Sequence, residues 1–413
     1  MKKNLLKSIV FAAACFFFIF QSCSRVSKKE PDVPAGLDRI ISELGGQGDA
    51  YDKMIEMHIP GAVIIFIKDG QVYYHQAFGY SNIRNDQKMA VDSVFQVASL
   101  SKTISAIGIM KLVQDGLIGL DDPVENYLSR WHIPASEYNS QGVTFRRLLA
   151  HTSGVTNSKI PFGYPPDIGL PDIEQELMGN TGSIFGKYYS FPVELEREPG
   201  QQWEYSNGGY GVLQLAAEEI SGITFSEYMR SYIMEPMNMT NSSYEYNSAL
   251  DAKLATPYFH VVWDESRFSL ANVAAVGLFA TAGDLAGMLV EMMKCYHGEP
   301  NKFILNRDTL LLMLEPQANE EYDVFESMGL GFFIHDDDNK IITYGHSGSI
   351  PGWNAIYEFC PETKDGIIVL TNGTNGNFLL GRYLLKEWRA YLGCDVSKMS
   401  IGFSLPIWPE LDD

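Results

Sequence analysis

Hydrophobic and polar positions predict strands at both ends of the chain. Residues 62–67 form an uninterrupted apolar run, Asp69-Gly70 provides a tight turn, and residues 72–78 return with strand-like composition. Four more strands are predicted near the other end, over residues 329–334, 340–344, 353–359 and 366–370. Because neighbouring strands are joined by short turns, the pattern predicts a mainly antiparallel sheet.

The middle of the chain has helical periodicity instead. Its most apolar block, residues 103–113, is longer than a typical buried strand and predicts a buried helix. Residues 155–198 have weak periodicity and many prolines and glycines, which predicts an irregular segment at a substrate rim. The predicted fold class is α/β, a mainly antiparallel sheet flanked by helices plus an all-α subdomain. Further helices are predicted over residues 144–150, 210–220, 224–234, 285–296, 309–314 and 379–392, with Thr144 and Asp308 as N-caps.

The first residues have the composition of an export signal. Three lysines accompany an apolar run from Ile9 to Phe20, and Cys23 follows it. The pattern resembles a bacterial lipoprotein signal, which implies a signal peptide over residues 1–22 and lipidation of Cys23. We therefore expect an exported protein of the cell envelope, tethered to the membrane and facing the periplasm or the exterior. An uncleaved anchor helix is the alternative, although the apolar run is short for a membrane span.

The rest of the chain is predicted to be one domain between two short extensions. Residues 23–36 form a linker, residues 37–395 form the domain, and residues 396–413 form a C-terminal tail. Within the domain, the sheet part covers about residues 37–98 and 325–395, and the helical part covers about residues 99–324.

Composition and charge exclude several classes of protein. The chain has 413 residues, of which 46% are hydrophobic and 20% charged, so it can bury a sizeable core. Its net charge of −20 argues against a nucleic-acid partner. The cysteines beyond the signal, Cys295, Cys360 and Cys394, are odd in number and widely spaced, so they predict no disulfide framework. The histidines and cysteines lack metal-ligand spacing, so we expect neither a metal nor a cofactor.

Ser99 and Lys102 form the first candidate for chemistry. They stand at the start of the predicted buried helix, and positions three apart share a helix face, so the amine can reach the hydroxyl. A serine in the first turn also lies where free backbone N–H groups favour a developing anion. This is the arrangement of a Ser-Lys nucleophile. The structural alternative is that Ser99 caps the helix and Lys102 points into water.

Tyr205-Ser206-Asn207 is the second candidate. A phenol beside a lysine can hold or donate a proton, and an amide can bind a substrate carbonyl. The alternative is a buried tyrosine followed by an asparagine that caps a helix. The same tripeptide occurs at residues 80–82, where it ends a hairpin strand; the later copy follows the irregular segment and opens a helix, so we prefer it.

The third candidate is His346-Ser347-Gly348-Ser349, which follows a predicted strand. A histidine at a strand end can bind a substrate carboxylate or carbonyl, and Gly348 permits a close approach. A surface histidine in a turn is the alternative. The stretch also comes near the G-x-S-x-G elbow of α/β-hydrolases, with Ser347 as nucleophile. That interpretation fails because the last glycine is replaced by Ser349 and no histidine follows His346.

The three motifs occur in the order S-x-x-K, Y-x-N and H-x-G. This order resembles the serine β-lactamase and penicillin-binding-protein family, in its branch of class C β-lactamases, D,D-carboxypeptidases and esterases. The likeness extends over about residues 37–392. Shorter segments that share it are residues 150–154, 199–200, 277–281 and 351–352.

The resemblance implies a role for each motif residue. Ser99 would be the acylated nucleophile, and Lys102 and Tyr205 would share the transfer of protons. Asn207 would bind the substrate amide. The backbone N–H groups of Ser99 and Ser349 would form an oxyanion hole.

The third motif departs from the Lys-Thr-Gly of true class C β-lactamases. A histidine that is mostly neutral near pH 7 holds a β-lactam carboxylate less well than a lysine does. We therefore expect a small-molecule or peptide substrate, either a D-amino-acid peptide or an ester, and weak or absent β-lactam turnover. The alternative function is a non-catalytic protein that binds peptidoglycan or another ligand on the same fold. A binding protein would need neither Lys102 nor Tyr205, so the intact motifs favour the enzyme.

Overall fold

A computed structural model provides the structure of the chain. It describes residues 54, 57–156, 164, 170–179, 192–258, 269–318, 325–336, 341–376, 381–397 and 399. The predicted signal peptide, Cys23, the linker, and most of the irregular segment and of the tail lie outside these residues. The described residues from 54 onward belong to one compact unit.

Most of the strands belong to one large sheet. The strands are β1 (Gly61–Lys68), β2 (Gln71–Asn82), β3 (Gln87–Lys88), β4 (Val94–Gln96), β5 (Phe279–Thr281), β6 (Ser327–Met328), β7 (Phe333–Asp336), β8 (Ile342–Ile350), β9 (Trp353–Cys360) and β10 (Asp365–Thr371). Eight of them form a sheet in the order β3-β2-β1-β10-β9-β8-β7-β6, and β4 pairs with β5 separately. The register between neighbours is antiparallel throughout. The predicted sheet and its first hairpin are therefore confirmed.

Helices occupy the chain between the two groups of strands, and one more follows the last strand. They are α1 (Ser101–Gln114), α2 (Phe145–Leu149), α3 (Ile173–Leu177), α4 (Asn207–Ser221), α5 (Phe225–Tyr228), α6 (Ser248–Asp251), α7 (Val273–Val276), α8 (Ala282–Tyr296), α9 (Arg307–Leu314) and α10 (Arg382–Leu392). A π-helical segment, Met229–Met234, continues α5. The predicted α/β class with a helical part is thus confirmed.

Helix α1 is the centre of this arrangement. Eleven of its fourteen residues are buried, so its polar side chains have to find partners inside the protein. The Thr103 hydroxyl donates to the Gly331 carbonyl at 2.8 Å, and the Ser105 hydroxyl donates to the Ala274 carbonyl at 2.8 Å. These bonds tie α1 to the loop before β7 and to α7, and so fix the orientation of the helix that carries Lys102.

Three details of the sequence prediction are wrong. The strand expected over residues 329–334 begins only at Phe333, because Gly331 has a φ of +81° and lies against α1. The side chain that caps α9 is Asn306, not Asp308. The third motif does not follow a strand: β8 continues through it to Ile350.

Candidate active site

Ser99 lies in a 3₁₀ turn, Ala98–Leu100, directly before α1. Ala98 has a φ of +49°, a backbone region that residues with a side chain rarely adopt. The Ser101 hydroxyl donates to the Ala98 carbonyl at 2.5 Å and accepts the Leu278 N–H at 2.9 Å. The candidate nucleophile therefore stands on an uncommon turn that buried hydrogen bonds hold in place.

Strand β8 reaches this turn at Gly348. A Cβ atom at that position would lie 2.4 Å from the Val97 carbonyl oxygen and 2.9 Å from the Ser99 backbone nitrogen, so only glycine fits. The next residue, Ser349, is exposed and is paired in register with Asn354 of β9. The backbones of the first and third motifs thus lie against each other, as an oxyanion hole built from both would require.

Three oxygen atoms surround the amine of Lys102, which is fully buried in the first turn of α1. Nζ lies 3.3 Å from Ser99 Oγ, 2.7 Å from Asn207 Oδ1 and 2.9 Å from the Ala275 carbonyl oxygen. It also lies 4.8 Å from the ring centroid of Tyr205. The structural alternative for the first motif, a lysine in water, is therefore wrong.

The surroundings of Lys102 determine its pKa and which neighbours accept its hydrogens. Burial holds the pKa of this amine well below its usual range, because burial penalises the charged form. A neutral amine has two hydrogens and one lone pair. Because the Asn207 and Ala275 oxygens can only accept, they take the two hydrogens. The amine lies within donor distance of Ser99 Oγ as well, and when it is neutral its lone pair faces this hydroxyl and can accept the hydroxyl hydrogen.

The second motif enters the site as the start of α4. Ser206 caps this helix, since its hydroxyl accepts the Gly209 N–H at 2.9 Å and donates to the Thr156 carbonyl at 2.7 Å. Asn207 is the first helical residue, which directs its amide oxygen to Lys102. Tyr205 lies just before the cap. The earlier copy at residues 80–82 lies on β2 instead.

His346 is fully buried beside the aromatic rings of the site. Its ring centroid lies 4.6 Å from that of Phe333 and 6.4 Å from that of Tyr205. Nδ1 contacts the Ser347 carbonyl oxygen at 2.7 Å, so Nδ1 carries the hydrogen and Nε2 has only a lone pair in the neutral ring. Burial, and then the Lys102 amine, lower the pKa of His346 to about 3. The histidine is therefore neutral, not cationic, near pH 7.

Two neighbours of the site were not assigned any role from the sequence. Ala275 contributes only its backbone carbonyl, which no sequence pattern marks. Its position depends on α7, whose cap Asn272 accepts the Ala275 N–H at 3.2 Å and donates to the Asn207 carbonyl at 2.8 Å. His151 is the other, in a segment whose likeness to the family was noted without a function. Its ring centroid lies 4.5 Å from that of Tyr205.

The structure brings the three motifs together, with Gly348 against the backbone of Ser99 and Ser349 next to it on β8. Within the described part of the chain, no three His, Cys, Asp or Glu side chains are grouped so that they could hold a metal ion. No helix among the described residues is both long and apolar enough to cross a membrane.

The antiparallel sheet, the helical part and the serine at the head of a buried helix define a serine hydrolase of the β-lactamase fold. The chain belongs to the Beta-lactamase family, whose model matches residues 37–386. This confirms both the family that the motifs suggested and the prediction of an enzyme.

Individual relatives agree with this assignment. Penicillin-binding protein 4* of Bacillus subtilis (strain 168) is 30% identical over 338 residues, which are 78% of this chain and 70% of that protein. The chain spans only 60% of the length of curated relatives from Staphylococcus aureus that it matches at 25% identity.

Solved structures show the same fold. The octameric penicillin-binding protein homologue from Pyrococcus abyssi has a TM-score of 0.70 at 25% identity, and the match covers 88% of this chain and 78% of that one. The D-amino acid amidase from Ochrobactrum anthropi SV3, complexed with D-phenylalanine, has a TM-score of 0.65 at 22% identity, with 87% and 98% covered.

Proposed function

We propose that this protein hydrolyses esters or D-amino-acid peptides and amides through an acyl-enzyme on Ser99. One observation carries the proposal: the buried Lys102 amine has an obligate acceptor for each of its two hydrogens and Ser99 Oγ as its third neighbour. A lysine that served only for stability would be unfavourable here, because burial penalises its charge and no carboxylate is among these three neighbours.

In the proposed reaction, the Ser99 hydroxyl hydrogen moves to the Lys102 nitrogen as Oγ attacks the substrate carbonyl carbon. The carbonyl oxygen becomes an oxyanion, which the N–H groups of Ser99 and Ser349 stabilise, each worth about 3–4 kcal/mol. The proton then passes from Lys102, by way of Tyr205, to the leaving oxygen or nitrogen as its bond to carbon breaks. Water attacks the acyl-enzyme in the same manner and releases the acid.

The neutral state of His346 supports the choice of substrate. With a pKa near 3, the ring brings no positive charge to a substrate carboxylate near pH 7. Substrates that require a charged contact at this motif, such as β-lactams, are therefore expected to react weakly or not at all. Esters do not require a charged contact at this motif, and neither do amides of D-amino acids, the substrate class in the name of the Ochrobactrum enzyme.

We further propose that the enzyme works in the cell envelope, attached through a lipid on Cys23. The lysine-flanked apolar run before this cysteine supports the proposal. Expression of the full chain and of Cys23→Ser in a bacterial host, followed by membrane fractionation and mass spectrometry of the mature N-terminus, tests it. A wild-type protein without a lipid on Cys23 would contradict it.

A fluorophosphonate probe tests the proposed nucleophile. The wild-type protein should be labelled and Ser99→Ala should not, while Ser347→Ala should keep the label because its hydroxyl is not the nucleophile. The same proteins are then assayed with p-nitrophenyl esters, D-alanyl peptides, D-amino-acid amides and nitrocefin. A folded wild-type protein that is neither labelled nor active would favour the binding protein. Nitrocefin turnover at a kcat/KM of about 10⁴ M⁻¹s⁻¹ or more would contradict the proposed substrate class.

A further inference from the structure

We propose that His151 is a positioning residue that fixes the backbone on both sides of Tyr205, and so aims the phenol at the reacting proton. The inference rests on the proposed function, in which Tyr205 carries that proton to the leaving group. His151 itself touches neither Ser99 nor Lys102 through a hydrogen bond among the described contacts.

His151 accepts hydrogen bonds from the residues on both sides of Tyr205. The His151 carbonyl accepts the N–H of Glu204 at 2.8 Å, and its Nδ1 accepts the N–H of Ser206 at 3.1 Å. One residue therefore holds both neighbours of the tyrosine. The segment from 201 to 206 has no helix or strand of its own, so it lacks the regular hydrogen bonds that would otherwise fix its backbone.

The ring of His151 also supports the phenol directly. It is 1% exposed and lies between two tyrosine rings, 4.5 Å from the centroid of Tyr205 and 5.3 Å from that of Tyr210. Burial raises the pKa of Tyr210 far above its usual value, so that phenol stays protonated as a wall of the site. Contact with this buried ring limits the movement of Tyr205.

The hydrogen bond to Ser206 requires one form of the imidazole. Because Nδ1 accepts a backbone N–H, it cannot carry a hydrogen, so the hydrogen is on Nε2 and the ring is neutral. A cationic ring would lose this bond and add charge beside Lys102 and His346. The site therefore uses His151 as a fixed acceptor and not as an acid or a base.

Two substitutions separate this acceptor from the bulk of the ring. In His151→Asn, the amide oxygen can take the place of Nδ1, and asparagine tolerates the positive φ of 57° better than most residues. In His151→Leu, an apolar side chain of similar size removes the acceptor. His132→Leu is the control, since that side chain is 61% exposed at the surface.

The first measurement is kcat and KM per active site, with active sites counted by fluorophosphonate labelling. For His151→Leu we expect kcat to fall by about 10–100-fold with little change in KM, the effect of a misplaced proton-transfer group. His151→Asn should recover most of the loss, and the control should match the wild type. A purely structural role would lower the labelled fraction and the unfolding temperature but leave kcat per labelled site unchanged.

The second measurement does not need turnover. Hydrogen exchange followed by mass spectrometry should show faster exchange of the amide at 206 in His151→Leu than in the wild type, and near-wild-type exchange in His151→Asn; the amide at 204, bonded to the backbone carbonyl of residue 151, is the internal reference. Unchanged exchange in His151→Leu, or an unchanged kcat per labelled site, would overturn the inference. A wild-type protein that is neither labelled nor active would contradict the proposed function. The exchange data would still test whether His151 fixes the backbone beside Tyr205.

Discussion

Acidification should destabilise this protein through His346, and the effect tests the neutral state on which the proposed substrate class depends. In the folded protein the ring is fully buried, and burial together with Lys102 lowers its pKa from 6.5 to about 3. In the unfolded chain the imidazole is in water and takes up a proton at a pKa of about 6.5. Between these two pKa values the unfolded state therefore binds a proton that the native state does not.

The sign and size of the effect follow from proton linkage. Because the folded pKa is below the unfolded pKa, the free energy of unfolding falls as the pH drops below about 6.5, and the loss is complete near pH 3. For pKa values of 6.5 and about 3, lowering the pH from about 7 to about 5 should cost about 2 kcal/mol. His151, whose pKa burial also holds well below its usual range, adds a loss of the same sign.

Urea unfolding of the wild type and His346→Gln, each near pH 7 and near pH 5, measures this effect. Groups outside the site titrate equally in both proteins, so their contributions cancel in the difference between variant and wild type. That difference should shift by about 2 kcal/mol in favour of His346→Gln on acidification. His132→Gln removes an exposed imidazole and serves as the control.

An equal difference between wild type and His346→Gln at both pH values would refute the reasoning. It would mean that the native ring binds a proton as readily as the unfolded one does. His346 could then carry a positive charge in acid, and the argument against β-lactam substrates would lose its basis.

Three further predictions concern other groups. Lys102→Met should lower kcat/KM by at least about 10³-fold. Because a buried amine is removed, the midpoint of urea unfolding should equal or exceed that of the wild type, and a clear drop in the midpoint would contradict the unfavourable burial of Lys102. Gly348→Ala should lower the free energy of unfolding by more than about 1 kcal/mol and remove most of the activity, because a Cβ there would meet the Val97 carbonyl. Gly287→Ala, at an open helical position, should instead stabilise the protein by about 0.5–1 kcal/mol. Equal effects of the two substitutions on stability and kcat would contradict the close contact at Gly348. Arg389→Met should lower the free energy of unfolding by about 3–5 kcal/mol, because it leaves the buried Glu358 carboxylate without its cation. Arg230→Met, which breaks an exposed pair with Glu235, should change it by less than about 1 kcal/mol, and urea unfolding measures both.

Local patterns made much of the fold predictable. The apolar run at 62–67 with its Asp-Gly turn specifies a hairpin, and the block at 103–113 is too long and too apolar for anything but a buried helix. Both patterns lie within about a dozen consecutive residues, so they can be recognised without knowing any contact from elsewhere in the chain. The motif order added the family, because Ser99, Tyr205 and His346 are far apart in the chain but appear in a fixed sequence.

The failures have physical causes of longer range. The segment Gly345-His346-Ser347-Gly348-Ser349 lacks the apolar alternation of a strand, yet it is held as one by its pairing with β9. The apolar residues around Gly331 looked like a strand, but the glycine has to lie against α1. The carbonyl of Ala275 carries no signal in its side chain. In each case the deciding contact comes from another part of the chain.

The buried nitrogen groups of the site limit which of them can take part in proton transfer. Lys102 lowers the pKa of both His151 and His346, and His346 also lowers that of His151, so placing more than one charge among them is unfavourable. Burial holds both histidines neutral, while their backbone bonds fix the rings, one as an acceptor from Ser206 and the other as a donor to Ser347. Among the described hydrogen bonds of these three groups, the one to the Ser99 hydroxyl is made by the Lys102 amine. In the proposed mechanism the lysine therefore carries the movable proton, and the two histidines set the geometry and the low dielectric in which it would act as a base.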